Sequence, residues 1–181
     1  QIIIGSYDPN DKIESHGGKI LHSSFNSNDY LTYTIQFENT GTANAVNVRV
    51  NDVLDYKLDE TTVRMINASH DYVLDRVGNN LNWKFNGIEL EPSVANTAIG
   101  KGYVAFQIKP KPGYSIGDII PNTASIYFDF NPAIVTNTFN TEFVSTLSVV
   151  NFESESFAVY PNPTNGLLTI SSKNSSKLIN N

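Results

Sequence analysis

Between Asp29 and Asp55 the chain reads DYLTYTIQFENTGTANAVNVRVNDVLD, and no other stretch limits its folding choices as tightly. Leu31, Tyr33, Ile35 and Phe37 alternate with Thr32, Thr34, Gln36 and Glu38, the period-two pattern of a strand with one face on a core and the other toward water. Val46, Val48 and Val50 repeat it against Asn47, Arg49 and Asn51. Between the two runs, Asn39-Thr40-Gly41-Thr42 supplies small turn formers and a glycine able to take positive φ, which predicts a hairpin with one apolar face. A two-stranded unit cannot bury such a face alone, so the remaining runs are expected to lay a second sheet across it.

Those runs exist. Short strands are expected at Lys19 to Phe25, Thr61 to Ala68, Leu81 to Phe85, Tyr103 to Lys109, Asn122 to Phe130 and Ile134 to Phe143, with Asp75 to Asn80 as a turn and Gly87 to Lys101 irregular. Ile2 to Ile4 reads as an edge strand. Ten Phe, nine Tyr and one Trp against a single Met favour pleated surfaces, and no helical stripe interrupts the pattern. Seven to nine strands without intervening helices point to an all-β, antiparallel, immunoglobulin-like β-sandwich. Tyr33, Ile35, Phe37, Val48, Trp83, Phe106, Ile126 and Phe128 should form its core; a jelly roll satisfies the same alternation. The domain is expected to span residues 1–143, followed by a tether over 144–156 and a short C-terminal tail over 157–181 that is too small for a core of its own.

Charge and composition remove whole classes of function. A net charge of −6 disfavours nucleic acid and anionic membranes, both of which need clustered Lys and Arg. No apolar run reaches the length of a membrane span, which predicts no membrane insertion. With no cysteine there are no disulfides and no thiol chemistry. Gln1-Ile2-Ile3-Ile4-Gly5 lacks the basic start of a signal peptide, so the sequence reads as part of a longer chain. His16, His22 and His70 sit in separate segments, and Gly100-Lys101-Gly102 lacks the setting of a phosphate loop. Glu89 with Glu91, or Asp52 with Asp55, are carboxylate neighbours of a kind found on every surface. The expectation is a protein that is not an enzyme.

Two parts of the chain resemble known families. Tyr33-Thr34-Ile35, Asn39 to Thr42, Asn47-Val48 and Asp52 resemble the conserved-repeat, immunoglobulin-like domains of bacterial surface proteins. Asp8-Pro9-Asn10-Asp11-Lys12 and Asn122 to Asn131 resemble a relative of these domains in Bacteroidota exoproteins. Further on, Phe157, Tyr160, Pro161, Asn162, Pro163 and Gly166 match in order and spacing the start of the type A C-terminal sorting domain of the type IX secretion system. That resemblance implies export to the outer cell surface or medium, with the secretion machinery as partner through the complete sorting domain. Only the start of the sorting domain is present, since its later strands have no counterpart before Asn181.

Three kinds of site are consistent with these residues. Asp8, Asn10 and Asp11 crowd oxygen ligands into one loop, and Asp129 and Asn131 join them if the first and last strands lie side by side. Such a set would hold calcium; the alternative is that these residues cap their own turns. The exposed rings of Tyr7, Tyr30, Tyr56, Tyr72, Tyr114 and Tyr127 could stack on a surface glycan, or cover the core edge as tyrosines commonly do. A protein partner recognised through end loops belongs to the same class. The third is an isopeptide crosslink, a device of sandwich domains in bacterial surface adhesins. It needs a Lys on an early strand, an Asn on a late one and a buried acid between them. Lys12 or Lys19 with Asn122 or Asn137, and Asp52 as the acid, fit that order. The plainer reading is exposed lysines and turn asparagines, because Lys is seldom buried.

Overall fold

The computed structural model describes residues 9–147 and two later strands, 157–160 and 169–172. The expected edge strand at Ile2 to Ile4 lies outside the described residues. The chain divides into two compact units, Gln1–Thr146 and Leu147–Asn181.

In the first unit the strands are β1 (Lys12–Glu14), β2 (Lys19–Leu21), β3 (Leu31–Glu38), β4 (Val48–Val53), β5 (Leu58–Ala68) and β6 (Val73–Val77). They continue with β7 (Asn80–Phe85), β8 (Lys101–Pro110), β9 (Ile119–Asn122), β10 (Ala124–Phe128), β11 (Ile134–Val135) and β12 (Phe139–Val144). One sheet runs β1-β3-β8-β5 and the other β11-β10-β4-β7-β6. A third ladder, β2-β12-β9, continues the second sheet, because β9 leads into β10 across Thr123 alone. Among the described residues of this unit, all strand pairings are antiparallel except β2 with β12. The fold is therefore an all-β, immunoglobulin-like sandwich. Among the described residues no helix is long and apolar enough to cross a membrane.

Each inner face follows from strict alternation. Leu31, Tyr33, Ile35 and Phe37 of β3 are buried, and so are Val48 and Val50 of β4, Leu81, Trp83 and Phe85 of β7, and Ile126 and Phe128 of β10. Aromatic rings fill the centre: Trp83 lies 5.2 Å from Phe106, and Tyr33 stacks on Phe106 at 5.6 Å. Burial of this many large rings is the main favourable term in the fold.

Two expectations fail in extent: Val46 precedes β4 and is exposed, and the strand expected at Lys19 to Phe25 ends at Leu21, where a 3-10 turn over His22–Ser24 takes over. Two more fail in pairing. The strands β3 and β4 do not form a hairpin; they lie in different sheets, and their apolar faces meet across the core. The connection from Asn39 to Asn47 is an arch rather than a tight turn. Asn39 holds it by donating from Nδ2 to the carbonyls of Ala43 (2.9 Å) and Leu90 (2.8 Å). The expected turn at Asp75 to Asn80 is mostly strand: β6 pairs with β7, and the reversal is confined to Gly78 and Asn79. β6 is an edge strand with Val73 and Val77 exposed, so it lacks the buried alternation that marks the others.

Near the N-terminus the chain changes sheets. β1 pairs with β3, a turn through Gly17 and Gly18 at positive φ reverses direction, and β2 then joins β12 in the facing sheet. This places Lys12 over the interior between the two sheets.

In the second unit, β13 (Phe157–Tyr160) and β14 (Thr169–Ser172) form an antiparallel pair, with Phe157 opposite Ser172 and Tyr160 opposite Thr169.

Candidate functional site

Strand parity decides which of the candidate residues meet. On β4, Asp52 follows Val48 and Val50 on the inward face, and its side chain is fully buried. On β9, Asn122 follows Ile120 inward and is 2% exposed. Ala124 pairs with Asp52, so Asn122, two residues earlier on the same face, is its diagonal neighbour. From the opposite sheet comes Lys12, also fully buried, whose Nζ donates a hydrogen bond to Asp52 Oδ2. Above the ammonium lie the rings of Tyr33 (5.1 Å to the centroid) and Phe106 (5.9 Å).

This environment acts on the charges. Burial pushes the Lys12 ammonium below the usual lysine range, with the Asp52 carboxylate pulling the other way. Burial pushes the Asp52 carboxyl above the usual range, opposed by Lys12 and by the nearby Asn122 amide. Both directions favour a neutral amine beside a neutral acid.

The amide is unusual for a buried group. Among the described residues, Asn122 Oδ1 and Nδ2 make no hydrogen bond of ordinary geometry, and neither do Asp52 Oδ1, Tyr33 Oη and Thr141 Oγ1, although the amide lies close enough to Asp52 and Tyr33 to act on both. Tyr33 is next to both Thr141 and Asn122, so these five atoms form one polar cluster. Leaving a buried polar group unpaired costs about 1–3 kcal/mol. Glu14, also buried and only two residues from Lys12, shows the contrast. Its carboxylate accepts from the backbone N–H groups of His16 (2.8 Å) and Thr32 (3.0 Å) and from the hydroxyl of Ser15 (3.2 Å).

The other crosslink candidates are occupied elsewhere. Lys19 has 61% of its side chain exposed and lies 4.0 Å from Glu142 on the surface. Asn137 Oδ1 accepts from Lys12 N (2.8 Å) and its Nδ2 donates to Lys12 O (2.9 Å), so it acts as a side-chain continuation of the ladder that fixes β1 in place. Thr141 had no signal in the sequence beyond sharing the inward parity of Phe143 on β12.

Asp8 lies outside the described residues. Asn10 is buried and its Oδ1 accepts from Glu38 N (3.2 Å), while the backbone carbonyl of Asp11 accepts from Gln36 N (2.8 Å). Asp129, at a φ of 53°, accepts from the backbone N–H groups of Asn47 (2.7 Å) and Val46 (3.1 Å). Asn131 N donates to Phe128 O at 3.0 Å. Among the described residues, no group of three or more His, Asp and Glu is placed to share a cation.

Of the tyrosines, Tyr7 lies outside the described residues. Tyr114 stacks on Phe143 at 4.4 Å, and Tyr72 packs 6.1 Å from Phe85. Arg49 covers Tyr127 at 4.1 Å, Arg64 and Lys109 each approach Tyr30 at 4.9 Å, and Tyr56 is 74% exposed. Asp55 accepts from Lys57 N (2.9 Å), whereas Asp52 faces the core, so those two carboxylates do not work as a pair. Phe157 and Tyr160 of the sorting motif lie on β13; Pro161, Asn162, Pro163 and Gly166 lie outside the described residues.

A family profile described as Domain of unknown function (DUF7619) matches residues 8–142. No curated protein gives a significant match. Among solved structures, the N-terminal domain of the Streptococcus gordonii adhesin Sgo0707 is similar with a TM-score of 0.54 at 17% identity, over 76% of this chain and 33% of that one. The major pilin subunit BcpA of Bacillus cereus gives 0.54 at 16% identity, over 74% and 39%. The full-length major pilin SpaD of Corynebacterium diphtheriae gives 0.52 at 23%, over 74% and 35%. The chain thus spans between 33% and 39% of these proteins, and what the likeness establishes is a common sandwich fold.

Proposed function

The chain belongs to the DUF7619 family, and from that premise we propose that it is a non-catalytic structural module of an exported protein, displayed outside the cell and spacing or presenting neighbouring domains. The observation that carries this reading is the sealing of its most reactive polar cluster. Lys12, Tyr33 and Asp52 have no exposed surface, so a diffusible substrate has no access to them. An enzyme site has the opposite arrangement, with convergent polar groups in an open pocket. Similarity to adhesin and pilin domains supports surface display, and the sorting-type motif from Phe157 to Gly166 supports export through the type IX machinery. Antibody against the sandwich should label intact cells that make the parent protein, and protease added outside should remove the signal. Labelling only after permeabilisation overturns the reading.

One feature favours recognition as a second role. Phe130 projects fully into solvent beside a groove lined by Arg49, Lys84, Tyr127 and Asp129. An exposed aromatic next to a polar groove suits a sugar ring or a protein side chain. A glycan array probed with the full chain, with calcium and again with chelator, tests this. Capture that Phe130→Ala abolishes supports recognition, and capture lost in chelator would support calcium at the Asp8 to Asp11 loop. No capture in either condition leaves the spacer role alone.

A further inference from the structure

A sealed polar cluster can act only on the chain that encloses it. We propose that Lys12 and Asn122 join through an intramolecular isopeptide bond, formed with Asp52 as the acid–base group, which ties β1 of one sheet to β9 of the other. The inference rests on the structural reading above and gives it a covalent mechanism.

Four observations converge on it. Lys12 Nζ is hydrogen-bonded to Asp52 inside the core, where neither group meets water. The Asn122 amide is the diagonal neighbour of Asp52, and among the described residues neither of its polar atoms makes a hydrogen bond of ordinary geometry. The nucleophile and the amide come from facing sheets, so their bond would cross the core. Lys12 is also held from behind, because its backbone N–H and C=O are both bound by the Asn137 side chain. Fixing two reactants in a shared cage replaces a bimolecular encounter with an intramolecular one.

The chemistry needs no external reagent. Asp52 takes a proton from the Lys12 ammonium, and burial favours the neutral amine that results. The Nζ lone pair adds to Asn122 Cγ, forming the new N–C bond and moving the carbonyl π pair onto Oδ1. Asp52 then gives its proton to Nδ2 and receives one from Nζ, the Cγ–Nδ2 bond breaks, and ammonia leaves as the carbonyl re-forms. The new amide keeps one proton and Asp52 keeps the other, so atoms and charge balance. Tyr33, whose hydroxyl is buried beside the amide, supplies a donor for the charge that collects on Oδ1. Burial raises its phenol well above the usual range, so the donor stays protonated.

The test is the intact mass of the purified full chain, with tandem mass spectrometry of its digest. The expected result is a mass lower than the sequence mass by one ammonia, and a branched peptide containing both Lys12 and Asn122. Asn122→Ala and Asp52→Ala should each run at their full sequence mass. Cooperative unfolding of Asn122→Ala, followed by Trp83 fluorescence, shows that the fold persists without the bond. A folded wild-type chain at full mass overturns the proposal. So does an ammonia loss with Lys12 and Asn122 on separate peptides, the pattern that cyclisation of Gln1 would leave. An Asp52→Ala chain that still forms the branch overturns the role given to Asp52. Mass is indifferent to where the parent protein is displayed, so this result and the surface-labelling result can fail separately.

Discussion

Tyr33 concentrates the conflict between packing and polarity in this core. Its ring is stacked on Phe106 and wholly buried, which suits an aromatic strand residue, but its hydroxyl is carried into a place where no partner closes a hydrogen bond. Burial is the largest cause of its raised pKa. The linkage sign follows directly. The unfolded phenol ionises near its ordinary value of about 10 while the folded one does not, so its contribution is fully present below pH 10 or so and is lost as pH rises further. That loss is about 1.4 kcal/mol per pH unit until the folded phenol itself ionises. Tyr33→Phe removes the ionising group and should flatten the fall in stability measured by urea unfolding from pH 9 upward. At neutral pH a Tyr33→Phe chain whose mass shows the same crosslinked state as wild type should be as stable or gain roughly 1 kcal/mol, because an unpaired buried hydroxyl is removed. Identical alkaline slopes in the two chains would show that the phenol reaches water or a partner.

At the level of strands, what could be read from the sequence was parity, and what could not was partnership. Alternation placed Leu31 to Phe37 and Val48 to Val50 on inner faces correctly, because burial depends only on which residues share a side. It could not say whether two apolar faces belong to one sheet or to two that face each other, and the arch at Asn39 to Asn47 contains the same Asn, Thr and Gly that a hairpin would use. β6 was missed for the reverse reason: as an edge strand with exposed valines it has little parity to show. The core cluster follows the same logic. Ile120, Asn122, Ala124, Ile126 and Phe128 share one parity across the junction of β9 and β10, which separates inward Asn122 from Asn137. Val48, Val50 and Asp52 likewise place the acid inside. The choice between Lys12 and Lys19 was not legible, because each lies in a three-residue strand and the turn between them moves the chain from one sheet to the other. Thr141 could be assigned only once β12 was seen to bring it to Tyr33.

For the whole molecule, the position of the proposed bond decides how the module would bear force. Antiparallel ladders resist pulling only while their hydrogen bonds hold, and β1 contributes just three residues to its sheet. A Lys12 to Asn122 bond changes this, because tension applied at the N-terminal side passes from Lys12 to Asn122 without loading the strands between them. It also closes a loop of about 110 residues, which on the chain-entropy account for crosslinks stabilises the folded state by about 4 to 5 kcal/mol. Removing the bond with Asn122→Ala should therefore lower the urea midpoint and, more specifically, lengthen the chain that force can draw out. Stretched between handles at its two ends, the Asn122→Ala chain should release roughly 370 Å more contour than wild type, the span of the shielded residues at about 3.4 Å each. No destabilising substitution that leaves the bond intact can mimic that difference, since it would change the force of unfolding and not the length released. Equal lengths in the two chains would mean that the interior Lys12–Asp52 pair and the ladders hold the sandwich by themselves, and that its resistance to force ends with the first strand to peel away.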